Sequence, residues 1–232
     1  MTQKLKYPRT PHFIFSNPDA DDIISDSSFE GKQVVASIKM DGECTCLSNS
    51  YTHARSLDSK HHPSRSWVKQ LQAGIGYKIP DGYRVYGENM FATHQIHYRN
   101  LMTYFFVYCI IDETNRVLSW EDTIMWADEL GLCTVPVFYK GVYDIELIQK
   151  TWENFNPFPV FVKKSNDIVN PTFPDDFIQT RQEGFVVRLE SSFLHQDFGV
   201  SVAKYVRDSF KQNLEESNKH WATASIFPNS LD

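Results

Sequence analysis

One lysine stands where an apolar, β-branched run gives way to a turn, in the string VVASIKMDGE. Burial against apolar side chains disfavours the charged form of an amine, so the pKa of Lys39 is expected to fall and the amine to act as a nucleophile. Asp41 and Gly42 supply the turn that would present it. The same residues also fit an ordinary strand and turn with a solvated lysine, so other residues must decide.

A lysine that attacks a nucleotide α-phosphate needs partners of particular types. These are a divalent metal ion, carboxylates that hold it, further cations on the phosphates and an aromatic ring for the base. Such residues lie at strand ends or within strands: Arg55 in THARSLDS, Glu88 in YGENM, Tyr108 in FFVYCI, Glu183 in EGFVVR and Lys204 in VAKYVR. Each one alone also fits a turn, surface or core position, so it is their joint occurrence that indicates a site.

The elements that must position these residues are strands and helices without a regular βαβ rhythm. Strands are predicted in QVVASIKM, GECTCLSN, YRVYGENMF, MTYFFVYCIID, EGFVVRLE and GVSVAKYVRD. Helices are predicted in HHPSRSWVKQLQAGI, SWEDTIMWADELGL, DIELIQKTWENF and SFKQNLEESNKHWATA. Ser119 and Asp122 resemble a capping box, and Gly131 ends that helix. The pattern favours an α+β fold with mainly antiparallel sheets flanked by helices.

Two irregular segments complete this organisation. The opening segment through Asp26, rich in Pro, Asp and Ser, is expected to wrap the surface before the first strand. A loop rich in Pro and Asp is expected at about 154–180.

Composition limits the class of protein. The 232 residues are 41% hydrophobic, which suits one globular domain with a large core. The net charge of −6 argues against a broad surface that coats nucleic acid, although a local basic groove stays open. No apolar run approaches the length of a membrane span and the first residues lack the apolar core of a signal peptide, so a soluble, intracellular protein is expected.

The order of the motifs carries a resemblance. The chain resembles the covalent nucleotidyltransferase superfamily, which includes ATP-dependent DNA and RNA ligases and mRNA capping enzymes. The motifs that carry the resemblance are, in order, Lys-x-Asp-Gly, a downstream Arg, Tyr-Gly-Glu, an aromatic strand, Glu-Gly-Phe-Val and a last strand with Lys. The strings KMDGE, HARSLDSKHHPSRSWVK, YGENMFATHQIHY, TVPVFYKG, EGFVVRL and DFGVSVAKYVR are similar to the compact ATP-dependent RNA ligases of bacteria and phages. The similarity spans nearly the whole chain.

The resemblance implies a nucleotidyltransferase (ATP-grasp-like) fold of two mainly antiparallel sheets. It implies one adenylyltransferase domain over 1–232, with a closing helix and tail at 209–232 and no OB-fold. It also implies ATP, Mg²⁺ with Mn²⁺ as an alternative, and RNA with 5′-phosphate and 3′-hydroxyl ends, joined in RNA repair. The expected location is the cytoplasm of a bacterial or phage-infected cell, without membrane contact, and a partner protein that supplies RNA recognition stays open.

Residue roles also follow from the resemblance. Lys39 would be the nucleophile that carries AMP, and Glu183 would help to bind the metal ion. Nucleotide contacts are expected from Ile38, Met40, Arg55, Glu88, Tyr108 and Lys204, with Tyr108 stacked on adenine, Glu88 near the ribose and Lys204 on the α-phosphate. Arg55 would bind either the nucleotide or the incoming 5′-phosphate. RNA phosphate contacts are expected from His62, Arg65 and Arg207, although His62 also fits a surface position at a helix start.

Three departures from the pattern of the relatives leave alternatives open. Ile38 stands where many relatives carry a base-reading glutamate, so base selectivity is expected from backbone contacts. Cys109 replaces a common acidic residue, and only Arg207 could substitute for a second lysine beside Lys204. The alternatives are transfer to nicked DNA or another acceptor, and a non-catalytic module that binds nucleotides or RNA ends.

Overall fold

The computed structural model describes residues 4–17, 21–99, 101–155, 182–208, 210 and 226–231. In these ranges, thirteen strands form two sheets, and three α-helices pack on their outer faces. The strands are β1 (His12–Phe13), β2 (Ile23–Ile24), β3 (Gln33–Lys39), β4 (Glu43–Leu47), β5 (Thr52–Ala54), β6 (Arg84–Asn89), β7 (Phe105–Ile111), β8 (Arg116–Val117), β9 (Cys133–Thr134), β10 (Val137–Val142), β11 (Gly184–Leu189), β12 (Phe193–Leu194) and β13 (Val202–Val206). The α-helices are α1 (Ser66–Ile75), α2 (Trp120–Glu129) and α3 (Ile145–Asn154), and short 3-10 helices occupy Asp26–Ser28, Pro63–Arg65, Gly76–Lys78 and His195–Val200.

The strand order confirms the predicted α+β class. The first sheet runs β10-β3-β11-β13-β1-β2, and the second runs β12-β8-β7-β6-β4-β5 with β9 beside β7. Parallel pairing joins β1 to β13, β1 to β2 and β7 to β9. The other strand pairs of the described residues are antiparallel, so both sheets are mainly antiparallel.

The turn after Lys39 connects the two sheets. The sequence predicts β3 and β4 as strands on either side of Asp41 and Gly42, and both exist. However, β3 pairs with β10 and β11 in the first sheet, whereas β4 pairs with β5 and β6 in the second. The turn therefore places the lysine where the chain passes from one sheet to the other. In a simple hairpin, β3 and β4 would instead be neighbours in one sheet.

Apolar side chains fill the space between the two sheets. Val35 of β3 shares a buried cluster with Phe106 of β7, and Val202 of β13 shares another with Tyr86 of β6. Ile148 of α3 packs on the outer face of the first sheet. The helices α1 and α2 pack on the outer face of the second sheet through Val68, Ala127 and their neighbours.

The helix ends follow from their capping residues. Ser119 Oγ accepts from Asp122 N at 3.1 Å and Gly131 has φ +69°, which confirms the predicted start and stop of α2. Asp144 Oδ1 accepts from Leu147 N at 3.0 Å and starts α3. The helix predicted from His61 begins later, because Pro63 first opens a 3-10 turn and α1 starts at Ser66.

Other expectations for the chain meet different outcomes. The opening segment does not merely wrap the surface, since β1 pairs with β13 and the Phe13 side chain is fully buried. The sequence does not predict β10, which is an edge strand whose residues are all partly or fully exposed. Most of the helix predicted in 209–224 and most of the loop predicted at 154–180 lie outside the described residues. Among the described helices, none combines the length and apolar character that a membrane span requires.

Candidate active site

A cavity of about 310 Å³ is lined by residues of both sheets and of the segment before β1. It brings together every residue predicted to touch the nucleotide, together with the predicted nucleophile: Ile38, Lys39, Met40, Arg55, Glu88, Tyr108 and Lys204. These residues lie far apart in the chain, so the sheets create this proximity.

Strand register places Lys39 beside the predicted metal ligand. Lys39 is the last residue of β3 and is paired with Gly184, the first residue of β11, so Glu183 lies next to it. Lys39 Nζ and Glu183 Oε1 are 2.6 Å apart, and the two side chains are 26% and 10% exposed. The amine is thus held at the cavity by a largely buried ion pair.

The expected fall in the pKa of Lys39 is wrong for this structure. Burial lowers the pKa of the amine. The charges of Glu183, Glu88 and Asp41 and the hydrogen bond to Glu183 raise it by more, so the pKa lies above its ordinary value. The string around Lys39 shows the apolar wall, but it does not show carboxylates that arrive from β6 and from the residue before β11. The raised pKa favours the protonated amine at neutral pH.

Asp41 shapes the site through backbone contacts. Its Oδ2 accepts from the N–H groups of Gln95 at 2.8 Å and Ile96 at 2.7 Å, and its own N–H donates to Tyr98 Oη at 3.1 Å. A carboxylate that receives two backbone donors holds the segment around 95–98 against the turn. Its predicted part in shaping the turn thus extends to a second loop.

Gly42 and Glu88 are joined at the other side of the turn. The N–H of Gly42 donates to Glu88 Oε1 at 3.1 Å. A Cβ at Gly42 would lie 2.7 Å from Asn89 O, so a larger residue would separate the turn from β6. Burial raises the pKa of Glu88 to about 8, although the nearby charge of Lys39 lowers it. Glu88 is thus a carboxyl group that gains or loses a proton near neutral pH.

The carboxylates at the cavity suit a hard cation whose coordination is completed by substrate phosphates. Among the described residues, no group of three or more His, Cys, Asp or Glu side chains forms a complete metal site. However, Mg²⁺ in nucleotide enzymes is commonly held by one or two carboxylates, with phosphates and waters as further ligands. Glu183 carries a carboxylate at the edge of the cavity, and the charge of Glu88 raises the pKa of the same amine, so these residues suit such an ion.

Two cationic side chains, Arg55 and Lys204, line the cavity. Lys204 is in β13 opposite Val186 of β11, and burial together with the charge of Lys39 lowers its pKa to about 8. Arg55 follows β5, and its Nε donates to Tyr7 O at 3.2 Å. Both residues therefore lie at the cavity, as the sequence predicts.

Tyr108 provides an aromatic surface on the other sheet. It lies in β7, and burial raises its pKa well above the ordinary value, so the ring is neutral. Ile38 and Met40 are buried and line the same cavity. The N–H of Ile38 already donates to Pro136 O at 2.9 Å, so this backbone donor is engaged within the protein.

Arg188 is a cavity residue that the sequence analysis does not assign. Its buried guanidinium donates through Nη2 to Leu118 O at 2.6 Å and through Nη1 to Tyr108 O at 3.5 Å, which joins β11 to the second sheet. Residues two apart on a strand share a face, so the string EGFVVRL places Arg188 on the same face of β11 as Val186, which also lines the cavity.

The three residues predicted to meet RNA phosphates have other contacts. Arg65 Nε is 2.8 Å from Glu43 Oε2, and its side chain is only 10% exposed, so Glu43 draws the guanidinium inward. His62 Nδ1 lies 2.7 Å from Ser64 Oγ at the start of the 3-10 turn. Arg207 Nε donates to Gln182 O. The phosphate contacts of all three residues stay predictions.

Comparisons with known proteins agree with this geometry. The chain is similar to an archaeal ATP-dependent RNA ligase, with a TM-score of 0.54 and 17% identity over 90% of this chain and 50% of that one. It is also similar to the Naegleria gruberi RNA ligase solved with pyrophosphate, with a TM-score of 0.55 and 12% identity over 91% of this chain and 58% of that one. A lysine-to-alanine mutant of that ligase solved with ATP and Mn gives a TM-score of 0.54 and 11% identity over 90% and 58%.

These likenesses confirm the nucleotidyltransferase fold and do not by themselves show activity. The chain spans between 50% and 58% of the length of these solved structures. No curated protein matches the chain. A sequence profile of RNA ligases, however, matches residues 32–206, which include Lys39, Glu88, Glu183 and Lys204. The chain belongs to the RNA ligase family.

Proposed function

We propose that the protein is an ATP-dependent RNA ligase that joins 5′-phosphate and 3′-hydroxyl ends through AMP bound covalently to Lys39. The observation that carries this proposal is the Lys39 amine, 2.6 Å from Glu183, in one cavity with Tyr108 and Lys204. A nucleophile, a carboxylate, a base-stacking ring and a phosphate-binding cation are the groups that adenylation requires. Family membership supports the same reaction.

In the first step, Lys39 Nζ attacks the α-phosphorus of ATP. An N–P bond forms, the bond between the α-phosphorus and the bridging oxygen breaks, and pyrophosphate leaves with that electron pair. The amine must lose a proton, and Glu183 Oε1 at 2.6 Å is the nearest acceptor that the structure shows. A divalent cation bound by the remaining carboxylate oxygens and the phosphates would neutralise the charge on the departing pyrophosphate.

The other cavity residues hold the nucleotide during that step. Tyr108 offers its neutral ring to the base, and Glu88 offers a carboxyl group to a ribose hydroxyl. Lys204 and Arg55 bring positive charge to the phosphates. Hydrogen bonds between such charged groups are stronger than those between neutral groups. These contacts chiefly orient the α-phosphate relative to Lys39 Nζ.

The next two steps transfer AMP and seal the RNA. An oxygen of the RNA 5′-phosphate attacks the AMP phosphorus, and the N–P bond to Lys39 breaks, so the amine is restored. The 3′-hydroxyl of the second RNA end then attacks the activated 5′-phosphate, and AMP leaves. Division of one condensation into three transfers is the general advantage of covalent catalysis.

A labelling experiment tests this proposal. The protein is incubated with α-labelled ATP and Mg²⁺, and acid-stable label on the polypeptide is measured. Label is expected on the unchanged protein and on Lys69→Ala, a control that removes an exposed lysine of α1. Lys39→Ala is expected to carry no label. Label that persists in Lys39→Ala would defeat the proposal.

The acceptor is tested separately with matched nicks of RNA, DNA and hybrids. The proposal expects sealing of RNA ends and little sealing of an all-DNA nick. A preference for the all-DNA nick would show that DNA, and not RNA, is the acceptor. Label without any sealed product would instead favour a nucleotide-binding module with lost turnover. A role in RNA repair, a single domain over 1–232, a cytoplasmic location and a partner protein for RNA recognition stay predictions.

A further inference from the structure

The segment before β1 forms part of the wall of the nucleotide cavity. Tyr7, Pro8, Arg9 and Thr10 all line it, although none belongs to the motifs that the sequence analysis assigns. The Tyr7 ring lies 5.1 Å from the Tyr86 ring and 5.2 Å from the Tyr108 ring, measured between centroids. The residue thus lies directly beside the ring proposed to stack on the base.

Hydrogen bonds on both sides fix the position of Tyr7. Tyr86 Oη donates to Leu5 O at 2.6 Å, and the N–H of Lys204 donates to Pro11 O at 2.9 Å. Between these two points, Arg55 Nε donates to the carbonyl of Tyr7 itself at 3.2 Å. Because Arg55 and Lys204 are cavity residues, the segment is built into the site rather than laid over it.

The hydroxyl of Tyr7 is the polar group that this arrangement leaves for a ligand. Within the described residues, it makes no hydrogen bond, whereas Tyr86 Oη donates to Leu5 O and Tyr98 Oη accepts from Asp41 N. Burial raises the pKa of Tyr7 well above its ordinary value, so the phenol keeps its proton. Tyr7 is partly exposed and lines the cavity, so a ligand that enters the cavity can supply the hydrogen-bond partner of its hydroxyl.

The chemistry of this wall suits a purine base. Tyr7 and Tyr108 offer flat apolar surfaces, and the phenol oxygen both donates and accepts a hydrogen bond. Ile38, which also lines the cavity, has an apolar side chain, and its N–H is engaged with Pro136 O. The means of telling one base from another must therefore come from elsewhere in the wall.

We propose that Tyr7 is a specificity-determining residue, whose ring covers the base beside Tyr108 and whose hydroxyl hydrogen-bonds to the edge of the adenine. This inference rests on the proposed function, since it concerns the nucleotide that Lys39 would receive. It assigns base selection to a segment outside the matched family region of residues 32–206.

Equilibrium binding of ATP and GTP to the Lys39→Ala protein tests this inference, because binding then occurs without covalent transfer. In that background, Tyr7→Phe keeps the ring and removes one hydrogen-bonding group. It is expected to reduce the ratio of ATP to GTP affinity by about five- to tenfold, the worth of one neutral hydrogen bond. Tyr77→Phe is the matched control, since Tyr77 is 80% exposed, and it should leave the ratio unchanged.

A second variant examines the ring. Tyr7→Ala is expected to weaken ATP binding by more than about tenfold, because a large aromatic contact is lost. An unchanged ratio in Tyr7→Phe would overturn the inference. Tighter ATP binding by Tyr7→Ala would also overturn it, because Tyr7 would then occupy the place of the base. Thermal unfolding of each variant is measured in parallel, and the Phe variant decides if the Ala variant does not fold.

The outcomes separate this inference from the proposed function. Selective ATP binding without label on the unchanged protein would defeat ligation and leave the role of Tyr7 standing. Label on Lys39 together with an unchanged ratio in Tyr7→Phe would defeat only the role of Tyr7.

Discussion

At the residue scale, it could be predicted which residues come together at the cavity, but their charge states could not. The order of motifs in the chain indicates Lys39, Glu88, Tyr108, Glu183 and Lys204, and all five meet at the cavity or at its edge. The expected direction of the Lys39 pKa shift is wrong because a pKa depends on neighbours in space. The carboxylates that raise it come from distant parts of the chain.

The charge of Lys204 leads to a pH dependence of nucleotide binding. Its pKa of about 8 means that the free protein loses this charge as the pH rises through 8. Phosphate binding favours the charged form, so affinity is expected to fall above pH 8, by up to about tenfold per pH unit for one linked proton. Affinity for an ATP analogue with an α,β-methylene bridge, which cannot transfer AMP, is measured between pH 7 and 9.

The control for this experiment is Lys204→Arg. Arginine keeps its charge throughout that range, so the part of the loss that Lys204 causes should disappear, whereas Glu88, with a pKa of about 8, titrates in both proteins. The pKa of Lys39 lies above its ordinary value, and the amine stays charged in the same window. An equal loss of affinity in Lys204→Arg would show that Glu88 or another group, and not Lys204, causes the pH dependence.

At the element scale, strands with clear alternation or aromatic content could be predicted, and their partners could not. The strands β3, β4, β6, β7, β11 and β13 all lie in strings that the sequence marks as strands. Their pairing depends on contacts across the fold, so the change of sheet at Asp41–Gly42 and the register of Lys39 beside Gly184 emerge only in three dimensions. The contacts by which Arg188 joins the two sheets could not be predicted for the same reason, since its partners Tyr108 and Leu118 are distant in the chain.

Gly184 makes this register testable. A Cβ at this position would lie 2.0 Å from Tyr205 O, so Gly184→Ala must separate β11 from β13. The free energy of unfolding is expected to fall by about 2 kcal/mol or more, as for other overpacked sites. The rate of lysine labelling should fall as well, because Glu183 precedes this residue. Denaturant unfolding and initial rates of label uptake measure both effects.

Gly199→Ala is the matched control, since a Cβ there would meet nothing within 4 Å. It should unfold and react like the unchanged protein. If Gly184→Ala matched Gly199→Ala in stability, the close approach of β11 and β13 would be wrong.

At the scale of the whole molecule, one distant end of the described chain lines the cavity, and the other packs against a loop that contacts the turn after Lys39. Tyr7 lines the cavity, and Asn229 is buried against the segment that contacts Asp41. Local patterns do not predict such contacts, because short irregular segments carry no periodicity and pair with residues far away in the chain. This part of the site is therefore the part that the sequence predicted least.

Asn229 links this second segment to the turn after Lys39. Its Nδ2 donates to Met90 O at 2.7 Å, and its Oδ1 accepts from Tyr98 N at 2.8 Å and Thr93 Oγ1 at 3.0 Å. Asn229→Ala leaves these buried groups unpaired, so a loss of about 2–4 kcal/mol in unfolding free energy is expected. Labelling should slow, because the loop that holds Asp41 is loosened. Denaturant unfolding and initial labelling rates are the measurements.

Ser230→Ala serves as the control for Asn229. Ser230 is exposed and bonds through its backbone, which the substitution keeps. Wild-type stability in Asn229→Ala would contradict the role given to this asparagine.

The most direct measurement is mass spectrometry of protein treated with ATP and Mg²⁺, digested and searched for AMP. The account predicts one adduct, on the peptide that contains Lys39, which disappears when pyrophosphate is added in excess. An adduct on another residue, or none on Lys39 in protein that binds ATP, would contradict it.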